Sequence, residues 1–560
     1  MNRMAFELGP LTDRVDEAIA TAKADEVVTR IRNQDASLWK SDPDSVRVIN
    51  NSLGWLTVAE DMIGVAGELT GFAESIRQRG FRHVMVCGMG GSSLCPEVLA
   101  RTFGRQEGFP ELLVLDSTDP DVIAAFAQRI DIERCLFVIA SKSGSTTEPN
   151  VFYKYWYEEV SKRRDNPGEN FIAITDPGSP LFETASELHF HRTFLNQPDI
   201  GGRYSALSHF GMVPAALMGL DVRKFLQRAI EAKADEQDAM CLGVIMGECA
   251  IAGRDKLTLV IDPSIETLGL WIEQLVAEST GKEGKGILPV NGEVLSGPEV
   301  YGDDRLFVSI SIGAVKHETQ ARLDALAAAG QPIVQRILAG PDDLAAEFYG
   351  WEFATAAAGW RLGINPFDQP NVQEAKDATK ELLASFERRG RLEERTELAT
   401  EDSITIYGKE NSDATSIAEV LRAHLATVRP GDYIAFLNYM EETPEIDKEF
   451  QQLRASLRDA TRCAVTIGYG PRFLHSTGQL HKGGPDTGVF FQIIANDQRD
   501  LAIPEEPYTF SILKQAQAFG DFRALAKRGR RVIGIDLGDD TLAGLERLKK
   551  FLTTKAQRHE

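Results

Sequence analysis

The stretch "IASKSGSTTEPN", residues 139–150, runs from an apolar segment straight into a loop in which Ser141, Ser143, Ser145, Thr146 and Thr147 crowd around Lys142. Loop polarity alone would be met by any mixture of Asn, Asp, Gly and Pro, so hydroxyls gathered about one ammonium point to a held oxyanion. A second loop, "GMGGSS", follows the apolar run "HVMVC". Gly88, Gly90 and Gly91 let backbone approach a ligand, and Ser92 and Ser93 stand where a helix begins, so free amides and the positive helix end face outward together. That suits a phosphate. The same residues also read as a tight strand-to-helix turn with a serine cap. A dinucleotide fingerprint is a third option, with Asp116 in "LVLDSTDP" as the ribose acid, although the run is G-x-G-G-S-S rather than G-x-G-x-x-G.

The elements that must carry these loops are legible as texture. Residues 11 to about 80 place apolar side chains at three- and four-residue intervals, as in "DRVDEAIATAKADEVVTRIRNQD", which reads as amphipathic helix. From there "HVMVCG", "ELLVLDS", "CLFVIAS" and "FIAITD" are short, nearly continuous apolar runs between helical stretches, the pattern of a parallel sheet covered on both faces. The pattern restarts with "LTLVID", "RLFVSISIG" and "PIVQRIL", and again with "SITIYG", "YIAFLNYM", "CAVTIGYG", "GVFFQII" and "RVIGIDLG". The fold class expected is therefore α/β, with repeated doubly wound parallel sheets: a helical segment over 1–75, α/β units over 76–235 and 236–388, and a C-terminal α/β block over 400–555. The charged run "RRGRLEERTELATEDS" is the linker candidate, and only the last residues, "TTKAQRHE", read as disordered. In such sheets ligands bind beyond the carboxyl ends of the strands, so both polar loops open on one edge. Two hydroxyl-rich loops there make a sugar-phosphate pocket a better reading than two unrelated turns.

Composition narrows the classes. A chain of 560 residues with 43% hydrophobic residues can bury a large interior and exceeds one ordinary domain. The formal net charge of -22 argues against nucleic acid and anionic membrane as partners. The six cysteines are scattered through apolar runs, without the spacing of a zinc site or disulfide framework, and read as core. No secretory signal and no window of about 20 apolar residues is present, so a soluble, cytoplasmic protein is expected.

"GMGGSSLCP", "SKSGSTTEP" and "GGRYSALS" together, followed by "QLVAESTGKEGKGILPV", "INPFDQPNVQEAK" and "FLHSTGQLHKGG", resemble the glucose-6-phosphate isomerase (phosphoglucose isomerase) family. The likeness is nearest to the isomerase half of bacterial transaldolase fusions, through "QDASLWK" and the C-terminal block. The transaldolase half itself is expected to be absent, since the chain shows no leading barrel-sized segment for a Schiff-base lysine.

The resemblance implies two sugar-isomerase domains, interconversion of an aldose and a ketose 6-phosphate through a cis-enediol, no cofactor and no metal. It assigns Glu278 as the general base, with Gln274 one turn earlier on the same helix face contacting sugar. Read on local sequence alone, Glu278 is better taken as an exposed helix-end acid, a reading that the likeness at "ESTGK" reverses. Arg203 would stabilise the enediolate, its local alternative being a structural ion pair. Ser141, Lys142, Ser143 and Thr146 match the family's phosphate loop, with Gly91 and Ser92 beside them; Lys142 has the alternative of a rim lysine. Lys376 and His475 would open the sugar ring, His481 being the decoy, and Gln369 would touch sugar. In most of the family the histidine segment precedes the lysine segment, whereas here it follows by almost a hundred residues. The third block must then return the histidine to a cleft between the first two. In common members that histidine reaches a neighbouring subunit, which implies a homodimer, although an extra block offers an internal route. Three alternatives stay open at this point: an enzyme that also takes mannose 6-phosphate, a non-catalytic sugar-phosphate sensor, and a nicotinamide-dependent enzyme.

Overall fold

The structure is a computed structural model and describes residues 3–409 and 416–553. The strand β1 (Arg3–Glu7) opens the chain and is followed by helices up to Val58–Gln78. Then come β2 (His83–Gly88), β3 (Glu111–Leu115), β4 (Cys135–Ala140), β5 (Phe171–Thr175) and β6 (Arg192–Leu195). A second series contains β7 (Lys256–Ile261), β8 (Leu288–Val290), β9 (Arg305–Ile312) and β10 (Ile333–Leu338). The third has β11 (Glu397–Glu401), β12 (Ile404–Tyr407), β13 (Tyr433–Tyr439), β14 (Ala464–Tyr469), β15 (Gly488–Ile494) and β16 (Arg531–Asp536).

Three sheets result, ordered β3-β2-β4-β5-β6, β1-β10-β9-β7-β8 and β11-β12-β16-β15-β13-β14. In each, the first long parallel strand of the series is flanked on one side by its successor and on the other by the next strand. The order therefore reverses between β2 and β4, between β7 and β9 and between β13 and β15. The α/β, doubly wound reading of the sequence holds. The runs are apolar because helices cover both faces: β4 and β5 are buried at every residue.

Four edge strands fall outside the apolar runs, the short β6 and β8 as well as β1 and β11. β1 lies within the stretch read as helical and pairs antiparallel with β10 at the edge of the second sheet. β11 lies within the stretch read as linker and pairs antiparallel with β12. An edge strand needs few buried side chains, and β11 buries only Ala399 among its five residues, so its charged sequence hides it. The tail from residue 554, read as disordered, lies outside the described residues.

The third unit is not a separate body. Phe510, Leu513 and Phe519 of the helix Phe510–Lys527 are buried in the core on one face of the first sheet, with Phe137, Phe152 and Trp156. Burial of each contributes about 1.5–3 kcal/mol. On the other side, Tyr433, Ala435 and Leu437 of β13 share a core with Ala277, Leu288 and Val290. Polar locks reinforce this docking. Arg472 donates two bonds to Asp116, at 2.8 and 2.9 Å, and the buried Lys514 pairs with Asp119 at 2.9 Å. No described helix is long and apolar enough to cross a membrane.

Candidate active site

The first sheet reverses its strand order between β2 and β4, and the loops after these two strands are the two polar loops. A crevice beyond the strand ends is the expected ligand site in such a sheet. After β4 the loop closes on itself: Ser141 Oγ donates to Thr146 Oγ1 at 3.2 Å and accepts from the Gly144 amide at 3.2 Å. Gly144 takes φ +65°, which a side chain would resist. Ser143 accepts from the Ser145 hydroxyl at 3.0 Å, and Thr146 stands at the N-cap position of the helix Thr147–Ser161 without a side-chain capping bond, so the first amides lack intrahelical partners. The loop is thus a set of hydroxyls at a helix N-terminus, the arrangement that holds a phosphate.

Lys142 is turned elsewhere. Its Nζ donates to the Pro198 carbonyl at 2.8 Å and pairs with Asp176, so it ties this loop to the chain leaving β5.

In the loop after β2 the glycines also let neighbouring segments pack closely. A Cβ on Gly91 would lie 1.8 Å from the Gly202 carbonyl, so the absence of a side chain at Gly91 lets the "GGRYS" loop pack against it. A Cβ on Gly90 would lie 2.6 Å from Gln274 Nε2 and 3.1 Å from the His475 carbonyl. Gly90, at φ +55°, is where all three units meet. Ser92 is buried beside it.

The helix Leu268–Thr280 enters this junction with Gln274 and Glu278 on one face. Glu278, only 5% exposed, accepts from Gln274 Nε2 at 3.1 Å and lies 3.4 Å from Arg203 Nη1. Arg203 is 2% exposed and fixed on every side: Nε donates to Ser279 Oγ at 2.7 Å, Nη1 to Gln369 Oε1 at 2.8 Å, and Nη2 to the Pro366 and Asp368 carbonyls. A guanidinium held this way can stabilise charge without reorganising. Gln369 is itself exposed and touches Arg203 rather than standing alone.

The late histidine segment does return. Gln274 Nε2 also donates to the His475 carbonyl at 2.8 Å, so one amide bridges Glu278 and the third unit. His475 Nε2 meets Glu148 Oε1 at 3.2 Å, and Glu148 also accepts from Gln517 Nε2 at 2.7 Å. Burial would raise the Glu148 carboxyl, but the charges of His475 and Lys376 and the hydrogen bond from His475 outweigh it and hold Glu148 below its ordinary value. Glu148 is therefore a carboxylate that only accepts, which assigns the hydrogen to His475 Nε2 and leaves Nδ1 for a ligand. Lys376 faces the same carboxylate from the helix Val372–Arg389. That helix crosses Phe510–Lys527 closely, because a Cβ at Gly520 would lie 2.6 Å from Thr379 Oγ1. His481 is the decoy in structure as in sequence: it is 3% exposed, packs on Tyr433 and Phe490, and burial pushes its pKa far down.

Several participants went unread in the sequence. Glu148 stands inside the quoted "SKSGSTTEP" and could have been found as the one acid of that motif. Lys282 follows Glu278 by four residues in "ESTGK", just past the helix end; it donates to Asp368 Oδ1 at 2.7 Å, and burial and the nearby Arg203 lower its pKa to about 8. Gln517 carries no sequence signal, since its link to Glu148 exists only through docking of the third unit. Asp116, the ribose-acid candidate, is occupied by Arg472. Among the described residues, one trio of carboxylates could share a cation, Asp119, Asp121 and Asp497, and the Lys514 ammonium already pairs with two of them.

The sequence and fold also resemble those of known proteins. The family model described as phosphoglucose isomerase matches residues 26–304. The chain is 28% identical to a glucose-6-phosphate isomerase of Rubrobacter xylanophilus over 365 residues, covering 55% of this chain and 84% of that protein. It is 25% identical to one of Clostridium tetani over 372 residues, covering 56% and 82%. Among solved structures, a hypothetical protein from Thermus thermophilus matches with TM-score 0.57 and 22% identity, covering 68% of this chain and all, 100%, of that one. A glucose-6-phosphate isomerase from Chlamydia trachomatis matches with TM-score 0.56 and 18% identity, covering 69% and 89%. At these identities the structural likeness is one of fold.

Proposed function

Because the chain belongs to the phosphoglucose isomerase family, we propose that it interconverts glucose 6-phosphate and fructose 6-phosphate through ring opening and a cis-enediol, with side chains alone moving the protons. In this reading the two sugar-isomerase units and the C-terminal block form one pocket within one chain, so a second subunit is not needed to supply the histidine. Its place is the cytoplasm, where sugar phosphates are turned over.

The phosphate rests on Ser141, Ser143 and Thr146 at the start of the helix Thr147–Ser161, with Ser92 beside it and Lys142 bracing the loop from outside. His475 and Lys376 exchange protons with the ring oxygen and the anomeric hydroxyl, opening the ring; Glu148 orients His475 through Nε2. Glu278 then takes the proton from carbon 2 of the aldose and returns it to carbon 1, and the electron pair passes through the enediolate. Arg203 faces the charge that develops, while Gln274 and Gln369 hold the base and the guanidinium in register.

The observation that carries this reading is the pair of hydrogen bonds donated by Gln274: the same amide touches the Glu278 carboxylate and the His475 backbone, 201 residues away. A sensor would need the phosphate loop but not this convergence of acid, base and guanidinium. The test is conversion of fructose 6-phosphate by purified protein, coupled to glucose-6-phosphate dehydrogenase, beside Glu278→Gln. Loss of about 10²–10⁴-fold in kcat is expected for the variant. Full activity in Glu278→Gln would remove the carboxylate from its role, and no turnover in the wild type would leave a sensor.

A further inference from the structure

Two successive residues of the helix Leu268–Thr280 reach two successive residues of the third unit. Gln274 Nε2 donates to the His475 carbonyl at 2.8 Å, and Glu273 Oε1 accepts from Ser476 Oγ at 3.4 Å. The Ser476 oxygen itself accepts from the Thr477 amide at 2.5 Å, which leaves its hydrogen free for Glu273. Gln274 also holds the Glu278 carboxylate, whereas Glu273 lines a cavity of about 160 Å³ beside the helix Pro444–Thr461.

Charges of the third unit gather round the Glu273 carboxyl. Arg454 and Arg472 line the cavity with it, and both favour its ionised form. Arg472 is bound to Asp116, with Glu442 3.6 Å away. Arg454 is less committed: it is 2% exposed, and its Nε and Nη2 find no hydrogen-bond partner among the described residues. The carboxylates that act on it are Glu293 and Glu273, and Glu293 is taken by Arg305, at 3.2 and 3.4 Å. A buried guanidinium is costly to keep unpaired, so Glu273 is the carboxylate left to it. Glu442 and Asp447 line the same cavity and oppose a further negative charge there.

We propose that Glu273 is a positioning residue for His475: its carboxylate draws Arg454 and Ser476 onto the helix Leu268–Thr280, and with them the backbone that carries the histidine. This role rests on the ring-opening part proposed for His475, and it makes that part depend on a group that touches no substrate. Burial raises the Glu273 carboxyl to about 7, against the pull of Ser476, Arg454 and Arg472. Below that pH the neutral carboxyl loses its attraction for Arg454 and the clamp slackens; above it the carboxylate closes the clamp.

The test compares wild type with Glu273→Gln, which fixes the neutral form, by steady-state kinetics with fructose 6-phosphate from about pH 6 to about pH 8, one unit either side of the Glu273 value. The ratio of their kcat values cancels the titrations that the two proteins share. It should stand near one at the acid end and reach about threefold or more at the alkaline end, with KM the same in both. A residue serving stability alone would leave the ratio constant, and a constant ratio would overturn the proposal. Carbon-13 NMR of labelled histidine gives a readout that needs no turnover, with the His475 resonance identified by its loss in His475→Ala. That resonance should coincide in wild type and Glu273→Gln at the acid end and differ at the alkaline end. Absence of turnover in the wild type would defeat the isomerase reading alone; coincident resonances at both ends would then overturn the role of Glu273. Should Glu273→Gln not fold, Ser476→Ala carries the test: its kcat at the alkaline end should fall about threefold, and a kcat equal to that of the wild type would overturn the proposal.

Discussion

The loop after β4 and the segment from Arg472 to His475 build two walls of one candidate pocket by opposite means. The first is local: six residues, Ser141 to Thr146, close on their own hydroxyls at the mouth of a helix, and their shape depends on almost nothing distant. The second is assembled. His475 is held by Glu148 and Gln274, Arg472 by Asp116, and Glu148 in turn by Gln517, each partner lying more than two hundred residues from its mate. A local motif keeps its geometry when the rest of the chain is perturbed, whereas an assembled one reports on docking. Substitutions in the two walls should therefore fail in different ways.

The largest difference is expected at the histidine. His475→Ala should lower kcat by roughly 10²–10⁴-fold with KM little changed, because a lost proton shuttle costs turnover rather than phosphate binding. Steady-state kinetics with fructose 6-phosphate checks this, and a variant that loses KM instead would place His475 in binding. Next comes the lock that positions it. Asp116→Ala leaves the Arg472 guanidinium without its bidentate partner and should cost about 3 kcal/mol of stability. Since this bond crosses from the first unit to the third, the loss should appear both as an earlier urea transition and as reduced kcat in the folded fraction. Reduced stability with unchanged kcat would mean that the segment holds His475 without the lock.

The same contrast governs what was legible beforehand. The local wall was readable because its residues are neighbours in sequence, and the α/β sheets were readable because burial on both faces forces unbroken apolar runs. Even the return of His475 followed from motif order. What could not be read was the set of contacts that docking creates: Gln517 on Glu148, Arg472 on Asp116, and Gly520 opening the helix crossing that sets Lys376. Glycines were a partial failure of the same kind. Gly91 signalled close approach, and one group that approaches it, the Gly202 carbonyl, could not be read from sequence. β1 and β11 were missed because edge strands bury too little to leave an apolar pattern.

Lys282 sharpens the comparison between a residue that reacts and one that positions. Its pKa is lowered to about 8 by burial and by Arg203. Below that pH it is charged, holds Asp368 and adds positive potential behind Glu278; above it the protonated fraction falls about tenfold per pH unit. Activity should decline over that limb, and Lys282→Arg, which keeps its charge, should carry the limb to higher pH. The stability effect has the opposite sign. Between about 8 and the ordinary lysine value of 10.5 the unfolded chain binds more protons than the folded one, so this group favours folding increasingly as pH rises. Activity and stability moving together across that window would remove Lys282 as the cause.

The smallest effect is expected in the local wall. Thr146→Ala removes one hydroxyl from a loop with several, and Ser141 Oγ loses its acceptor at 3.2 Å but keeps the bond from the Gly144 amide. The loop should stay folded, because its turn is fixed by Gly144 and by the helix that follows. One hydrogen bond to a charged phosphate is worth about 1.5–3 kcal/mol. It is made alike to bound sugar and to transition state, so KM should rise roughly tenfold or more, with kcat nearly intact. A fall in kcat as large as that of His475→Ala would show that the phosphate loop also steers the reacting carbons, and that the two walls work as one.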